Sequence, residues 1–222
     1  MHIMMVTFDF KGSDLAAEER HYRDVHMALA KQFTGVSMYL AGHVRDTQLG
    51  FTPKPESSAK PFRTAIMWFN STQDFMNSVS GPAGMQVLVD TQEHLTNVQM
   101  IHADGEGIVP FDSRKPGQQC FLVAAHVNYK PSFGTAEEAE HHYLTVHTTL
   151  AARVAGLRGY YVGKTLQLGD KPDCSRVVFQ MYDNFDAFQG GMTSPAGQEL
   201  LKDDARLIDV KRLFFADAGV EQ

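Results

Sequence analysis

One stretch of this chain occurs twice. Glu19-Arg20-His21-Tyr22, Val25-His26, Leu29-Ala30, Gly35, Tyr39 and Gly42 return as Glu140-His141-His142-Tyr143, Val146-His147, Leu150-Ala151, Gly156, Tyr160 and Gly163. The offset is 121 throughout, and ten of 28 positions over residues 15–42 are identical to their counterparts at 136–163. Such a repeat means that one folding unit is used twice, which narrows the choice of fold more than any local pattern does. The correspondence continues at an offset of 113, where Phe75, Pro82, Ala83, Gly84 and Asp90 match Phe188, Pro195, Ala196, Gly197 and Asp203. The eight-residue difference falls between Gly42 and Phe62. That segment, His43 to Pro61, carries Pro53, Pro55, Ser57 and Ser58 and no periodicity, so it reads as a loop. The second copy closes the gap with a shorter Lys164–Asp173 connection. An exposed loop is where length changes cost least.

The element pattern is the same in both halves. Val6, Phe8 and Phe10 alternate along a strand from Met4. Ser13 or Asp14 can cap a helix from Leu15 to about Phe33, which Gly35 ends. Strands follow at Val36–Gly42 and Phe62–Phe69. Ser71 or Thr72 caps a short helix to Val79, Ser80-Gly81-Pro82 breaks it, and a further helix covers Ala83 to Thr91. A strand at His94–Ile101 ends the first copy. The second begins with a strand at Cys120–Tyr129. Thr135 and Glu138 form a capping box for a helix to Val154. Strands follow at Leu157–Gly163 and Arg176–Tyr182. A helical turn at Phe185–Gln189 is expected to break at Gly190-Gly191. A helix at Pro195–Asp204, a strand at Leu207–Phe215 and a tail complete the chain.

This order, β-α-β-β-α-β twice, describes an α+β protein made of two ferredoxin-like domains. The expected boundaries are residues 1–104 and 119–222, with a Gly- and Pro-containing linker at 105–118. Each sheet would have helices on one face and a bare face on the other. Layer logic asks for the bare faces to meet, giving a pseudo-dimeric α+β barrel with a cavity between the sheets.

Composition excludes several functions. The net charge is −6 with no basic run, so nucleic acid is not an expected partner. There is no apolar run of 18 residues and no basic-then-apolar leader, so no membrane partner is expected and a cytoplasmic setting is. Cys120 and Cys174 have no counterparts in the other copy, so they are neither a disulfide framework nor a repeated metal pair. No metal is expected.

The chemistry-bearing candidates lie on the repeated stretch. His26 and His147 can carry protons near neutral pH. Tyr22 and Tyr143 lie one turn before them, and Glu19 and Glu140 two turns before. This Glu-Tyr-His stripe is the candidate catalytic set, with a carboxylate acting on the imidazole through the tyrosine or a water. On an ideal helix His21 and His142 lie about 140° away and are expected to face outward or towards the other copy. Tyr39, Tyr160, Trp68, Arg63 and Arg176 are candidate substrate-binding residues. Arginines of this kind hold a carboxylate or an enolate, or make a salt bridge at a sheet edge. A histidine hydrogen-bonded within a helix–sheet junction is the structural alternative for His26 and His147.

The Glu, Tyr, Val-His, Leu-Ala pattern, with Gly and Tyr-x-x-Gly beyond it, resembles the EthD family of the dimeric α+β barrel superfamily. Gly81-Pro82-Ala83-Gly84 and Ser194-Pro195-Ala196-Gly197 resemble its turn before the second helix. The resemblance covers both copies and implies a covalently fused dimer. It also implies small-molecule metabolism of apolar rings, ethers or polyketides. The family's helix-end histidine carries over to His26 and His147. Related barrels include muconolactone isomerases, cofactor-free quinone-forming monooxygenases and haem enzymes. The leading expectation is an enzyme using histidine for proton transfer on an apolar cyclic or carbonyl substrate, as an isomerase, cyclase, dehydratase or decarboxylase. Cofactor-free oxygenation of a phenol, haem chemistry and non-catalytic ligand binding remain as alternatives. No organic cofactor is expected, haem stays open, and so does a homodimer of the fused unit.

Overall fold

In a computed structural model of the chain, residues 1–45, 62–111, 116–168 and 172–221 are described. Most of the expected loop His43–Pro61 lies outside them.

The first copy contributes β1 (His2–Phe10), α1 (Leu15–His21), a π-helical turn at Tyr22–His26, α2 (Met27–Ala30), β2 (Val36–Val44), β3 (Arg63–Phe69), α3 (Thr72–Ser80), α4 (Pro82–His94) and β4 (Leu95–Val109). The second contributes β5 (Gln119–Tyr129), α5 (Ala136–His142), a π-helical turn at Tyr143–His147, α6 (Thr148–Ala152), β6 (Leu157–Leu166), β7 (Arg176–Tyr182), α7 (Phe185–Thr193), α8 (Pro195–Leu207) and β8 (Ile208–Val220). The caps follow the sequence chemistry. The Asp14 carboxylate accepts from the Ala17 N–H, Ser71 Oγ from Asp74, and Thr135 with Glu138 closes a full capping box. Gly35 and Gly156 follow the α2 and α6 segments at φ +70° and +78°, a conformation that side-chain-bearing residues avoid.

The strands close into one barrel in the order β1-β3-β2-β8-β5-β7-β6-β4. The fold is α+β, two ferredoxin-like sheets forming a pseudo-dimeric α+β barrel. The sheets do more than face each other, because they join at both edges. β8 runs past its own sheet to pair with β2, from Ala216 opposite Val44 to Val220 opposite Leu40. β4 runs on to pair with β6, from His102 opposite Leu166 to Val109 opposite Tyr160. Residues 105–109, expected in a linker, are therefore strand. So is most of the expected tail, where Ala216, Ala218 and Val220 are buried. Joining both edges removes the unpaired strand borders that an open sheet would expose.

The space between the sheets is not a cavity, contrary to expectation. It is filled by Ile3, Met5, Leu40, Ile66, Trp68, Leu122, Phe179 and Met181 among others, drawn from both copies with no helical residue. Two further cores lie outside the barrel, each between one copy's strands and its own helices. With the barrel interior packed, a ring-sized cavity is found in the helix–strand layers.

The expected break at Gly190-Gly191 does not occur, and α7 continues through both glycines to Thr193. Among the described residues no helix is long and apolar enough to cross a membrane.

Candidate active site

The π turns arrange the site. At each, the N–H following the turn bonds back five residues, from Met27 to Tyr22 and from Thr148 to Tyr143. A turn that closes over five residues brings positions i and i+5 towards one face, where an α-helix would separate them. His21 and His26 therefore reach the same carboxylate, as do His142 and His147. His21 Nε2 lies 2.6 Å from Asp90 Oδ1 and His26 Nδ1 lies 2.7 Å from Asp90 Oδ2. In the second copy His142 Nε2 lies 2.9 Å from Asp203 Oδ1 and His147 Nδ1 lies 2.9 Å from Asp203 Oδ2. The outward placement expected for His21 and His142 is thus corrected. The 100° step used for it holds only on a regular α-helix.

Asp90 and Asp203, on α4 and α8, are the carboxylates that hold the histidines. Glu19 and Glu140 do a different job from the one expected. Glu19 binds Arg63 through two hydrogen bonds of 2.6 and 2.7 Å, and Glu140 binds Arg176 in the same manner. Each guanidinium carbon sits 4.8 Å from a tyrosine ring, Arg63 over Tyr22 and Arg176 over Tyr143. Those rings stack in turn on the imidazoles, Tyr22 on His26 at 5.1 Å and Tyr143 on His147 at 4.9 Å. Each copy thus holds a continuous column of carboxylate, guanidinium, phenol ring, imidazole and carboxylate. The arginines spend their charge on glutamate inside this column.

Tyr39 and Tyr160 are fully buried in the helix–strand cores, Tyr39 with its hydroxyl 3.5 Å from that of Tyr22. Burial raises the phenol pKa of Tyr22, Tyr39 and Tyr160, and that of Tyr143 to about 12. Trp68 points into the barrel against Tyr161 and Phe179, on the wrong side of its sheet for a helix-layer site.

A cavity of about 120 Å³ opens beside His147. Its walls are apolar, including Val127, Phe188, Leu200 and Phe215, and its polar groups are His147, Asp204 and Gln180. Tyr143, Tyr160 and Arg176 do not line it. Asp204 Oδ1 lies 3.5 Å from His147 Nε2. Burial, reinforced by the neighbouring Asp203 charge, pushes the Asp204 carboxyl up to about 6, although His147 and Lys130 oppose the shift. Asp203 moves the other way. Burial favours its neutral form, but hydrogen bonds from His147, His142 and Arg206 outweigh that and hold it well below the usual carboxylate range.

The copies differ here. Strand pairing aligns β1 with β5 at an offset of 119, because Phe8 faces Arg63 as Val127 faces Arg176. Phe8 therefore stands where Val127 lines the cavity, Met67 where Gln180 does, and Thr91 where Asp204 does. The first copy keeps the histidine–aspartate pair and loses the amide and the second carboxylate. Burial lowers the His26 pKa, with Asp90 opposing it.

Haem does not fit the His147 cavity as built. Its volume matches a single benzene-sized ring, and both imidazole nitrogens already face carboxylates.

The repeat contained a signal for Asp90 and Asp203, since both are identical polar residues on the second helix. Asp204 and Gln180 had none, because they differ between the copies.

The EthD domain family model matches residues 11–99 and 134–211. No curated protein matches the sequence. Solved structures share the fold at low identity. One from Fusobacterium nucleatum, described only provisionally as a monooxygenase, is 11% identical with a TM-score of 0.68, covering 100% of this chain and 92% of its own. An anthrone oxidase-like protein is 13% identical with a TM-score of 0.62, covering 100% of this chain and 92% of its own. A chlorite dismutase mutant from Candidatus Nitrospira defluvii is 11% identical with a TM-score of 0.60, covering 98% and 91%.

Proposed function

The chain belongs to the EthD domain family, with two copies in one polypeptide, and from that premise we propose that it is a small-molecule enzyme whose working site is the His147 cavity of the second copy. The observation that carries this reading is the single imidazole held on one nitrogen by a buried aspartate and facing an apolar cavity, beside a second carboxyl, with the other. Asp203, held ionised, accepts from His147 Nδ1–H. That bond selects the tautomer whose Nε2 carries the lone pair.

Nε2 is then the base. A substrate ring in the cavity would present an acidic proton, either a C–H beside a carbonyl or a phenolic O–H, and Nε2 takes it. The imidazolium so formed lies between two carboxylates, which favour its positive charge. The Gln180 amide offers an N–H to the oxygen that gains negative charge. Asp204, which titrates near the working pH, gives the proton a second resting place. Isomerisation, cyclisation, dehydration and decarboxylation all use this step. The apolar walls select an apolar ring, and the cavity volume admits one ring at a time.

Oxygenation of a phenol begins with the same proton removal, and fold relatives are described as a monooxygenase and as anthrone oxidase-like. Dioxygen consumption during turnover separates the two readings.

The test follows the proton itself. Single-ring enolisable ketones and phenols are incubated with the enzyme in D2O, and exchange at the acidic carbon is followed by NMR. Exchange above the buffer rate is expected, with His147→Ala losing about 10²–10⁴-fold. His26→Ala should leave it near the starting value. Full exchange in folded His147→Ala would overturn the assignment.

A further inference from the structure

A second cluster of chemistry-bearing side chains lies at one end of the barrel interior, apart from the His147 cavity. One imidazole nitrogen of His126, the Cys174 sulfur and an Asp173 carboxylate oxygen all lie within 4.8 Å of one another. His126 belongs to β5, and Asp173 and Cys174 to the segment that enters β7. Met5, from β1 of the other copy, brings its thioether sulfur to 3.5 Å from His126 Nε2.

We infer that His126, Cys174 and Asp173 bind one thiophilic metal cation, Zn2+ or Cu+, while the Met5 thioether holds the far nitrogen of the imidazole.

Three observations carry this. His126 is 3% exposed, yet its Nδ1 has no hydrogen-bond partner among the described residues. Buried polar atoms are nearly always satisfied, so an open nitrogen on an imidazole ring beside a thiol and a carboxylate points to a ligand. The donor types agree, since imidazole nitrogen with a thiol sulfur suits Zn2+ or Cu+ and suits Mg2+ or Ca2+ poorly. The spacing agrees too. Ligands on a tetrahedral metal at roughly 2.0–2.3 Å stand about 3.5 Å apart, so small side-chain rotations close this cluster around an ion.

Access is from the barrel end. Cys174 is buried, whereas Asp173 is exposed and bonded to the Arg212 guanidinium at 3.2 Å. Burial favours the neutral Cys174 thiol, so a bound cation displaces its proton to solvent, and the thiolate so formed and Asp173 together outweigh the single opposing charge of Arg212.

The repeat could not reveal this cluster. Strand alignment at the offset of 119 places Thr7, not Met5, opposite His126 in the other copy. Cys174 has no cysteine counterpart.

The experiment uses the full chain, treated with chelator and then titrated separately with Zn2+ and with Cu+ under anaerobic conditions. Metal retained after desalting is quantified, and X-ray absorption reports the donor atoms. The expected result is one equivalent of one or both ions, bound by nitrogen and sulfur. His126→Ala and Cys174→Ser should each weaken binding at least tenfold, while Cys120→Ser, at the other buried thiol, should bind as the starting protein does. The absorption measurement needs no variant, so a misfolded substitution does not leave the question open. Failure to retain either ion, a shell without sulfur, or undiminished binding by folded His126→Ala and Cys174→Ser would overturn the inference. None of these readouts involves turnover, so the His147 proposal stands or falls separately.

Discussion

His147 and His26 have the same neighbours in sequence and different surroundings in space. Both are held by an aspartate and stacked on a tyrosine, but only His147 has a second carboxylate beside its far nitrogen. Asp204 therefore gives the sharpest prediction at this scale. Its carboxyl titrates near the ordinary 3.8 when unfolded and at about 6 when folded. The folded state holds its proton more tightly, so this group's contribution to stability falls as pH rises from about 4 to 6 and stays reduced above that. Asp204→Asn removes the penalty. Urea melts should show no gain near pH 3.5 and a gain of up to about 3 kcal/mol above pH 6, less where the side chain still meets solvent. Asp203 has the opposite sign, because its lowered pKa gives stability above pH 4 that is lost on acidification. Asp203→Ala would leave His142, His147 and Arg206 without their shared anion and should cost about 3–5 kcal/mol at pH 7. The histidines were legible in the sequence because duplication marked them. Asp90 and Asp203 were marked by the same duplication, but their pairing with the histidines was not, because the approach of the second helix to the first in each copy is a tertiary fact.

The elements were legible where local chemistry decides them. Caps at Asp14, Ser71 and Thr135, the glycines after α2 and α6, and the alternating strands all follow from short-range pattern. The π turns were not, because no residue type demands them, and the wider turn brought His21 and His142 round to the face of His26 and His147. Gly190-Gly191 was misread for a different reason. Glycine lowers helix propensity, but α7 packs closely enough for one of the two to be required. A Cβ at Gly191 would lie 2.4 Å from the Ala155 carbonyl oxygen, while one at Gly190 would meet nothing within 4 Å. Gly190→Ala should therefore stabilise by about 0.5–1 kcal/mol. Gly191→Ala should destabilise by about 1–3 kcal/mol despite the better helix former. Denaturant midpoints of the two variants check the pair. Equal effects would show that propensity, not packing, governs the site.

At the scale of the whole molecule, the repeat made two ferredoxin-like units legible but not how they join. The glycines at 105 and 107 read as turn, and the last residues read as tail, because the strands they pair with lie in the other copy. Removing residues 216–222 would leave β2 paired with β3 alone and open its other edge. The shortened chain should melt well below the full chain and self-associate through the exposed edge in light-scattering measurements. A monomer of unchanged stability would show the β2–β8 seam to be dispensable.

The duplication also allowed the two sites to diverge, and the central claim is that the apolar cavity beside His147 in the second copy is the working site. Ring-nitrogen NMR of the histidine-labelled full chain, titrated with a single-ring phenol, tests this most directly. The account predicts saturable shifts at His147, with Nδ1 protonated in the free protein, and none of comparable size at His26. Shifts confined to His26, or none at His147 at saturation, would contradict it.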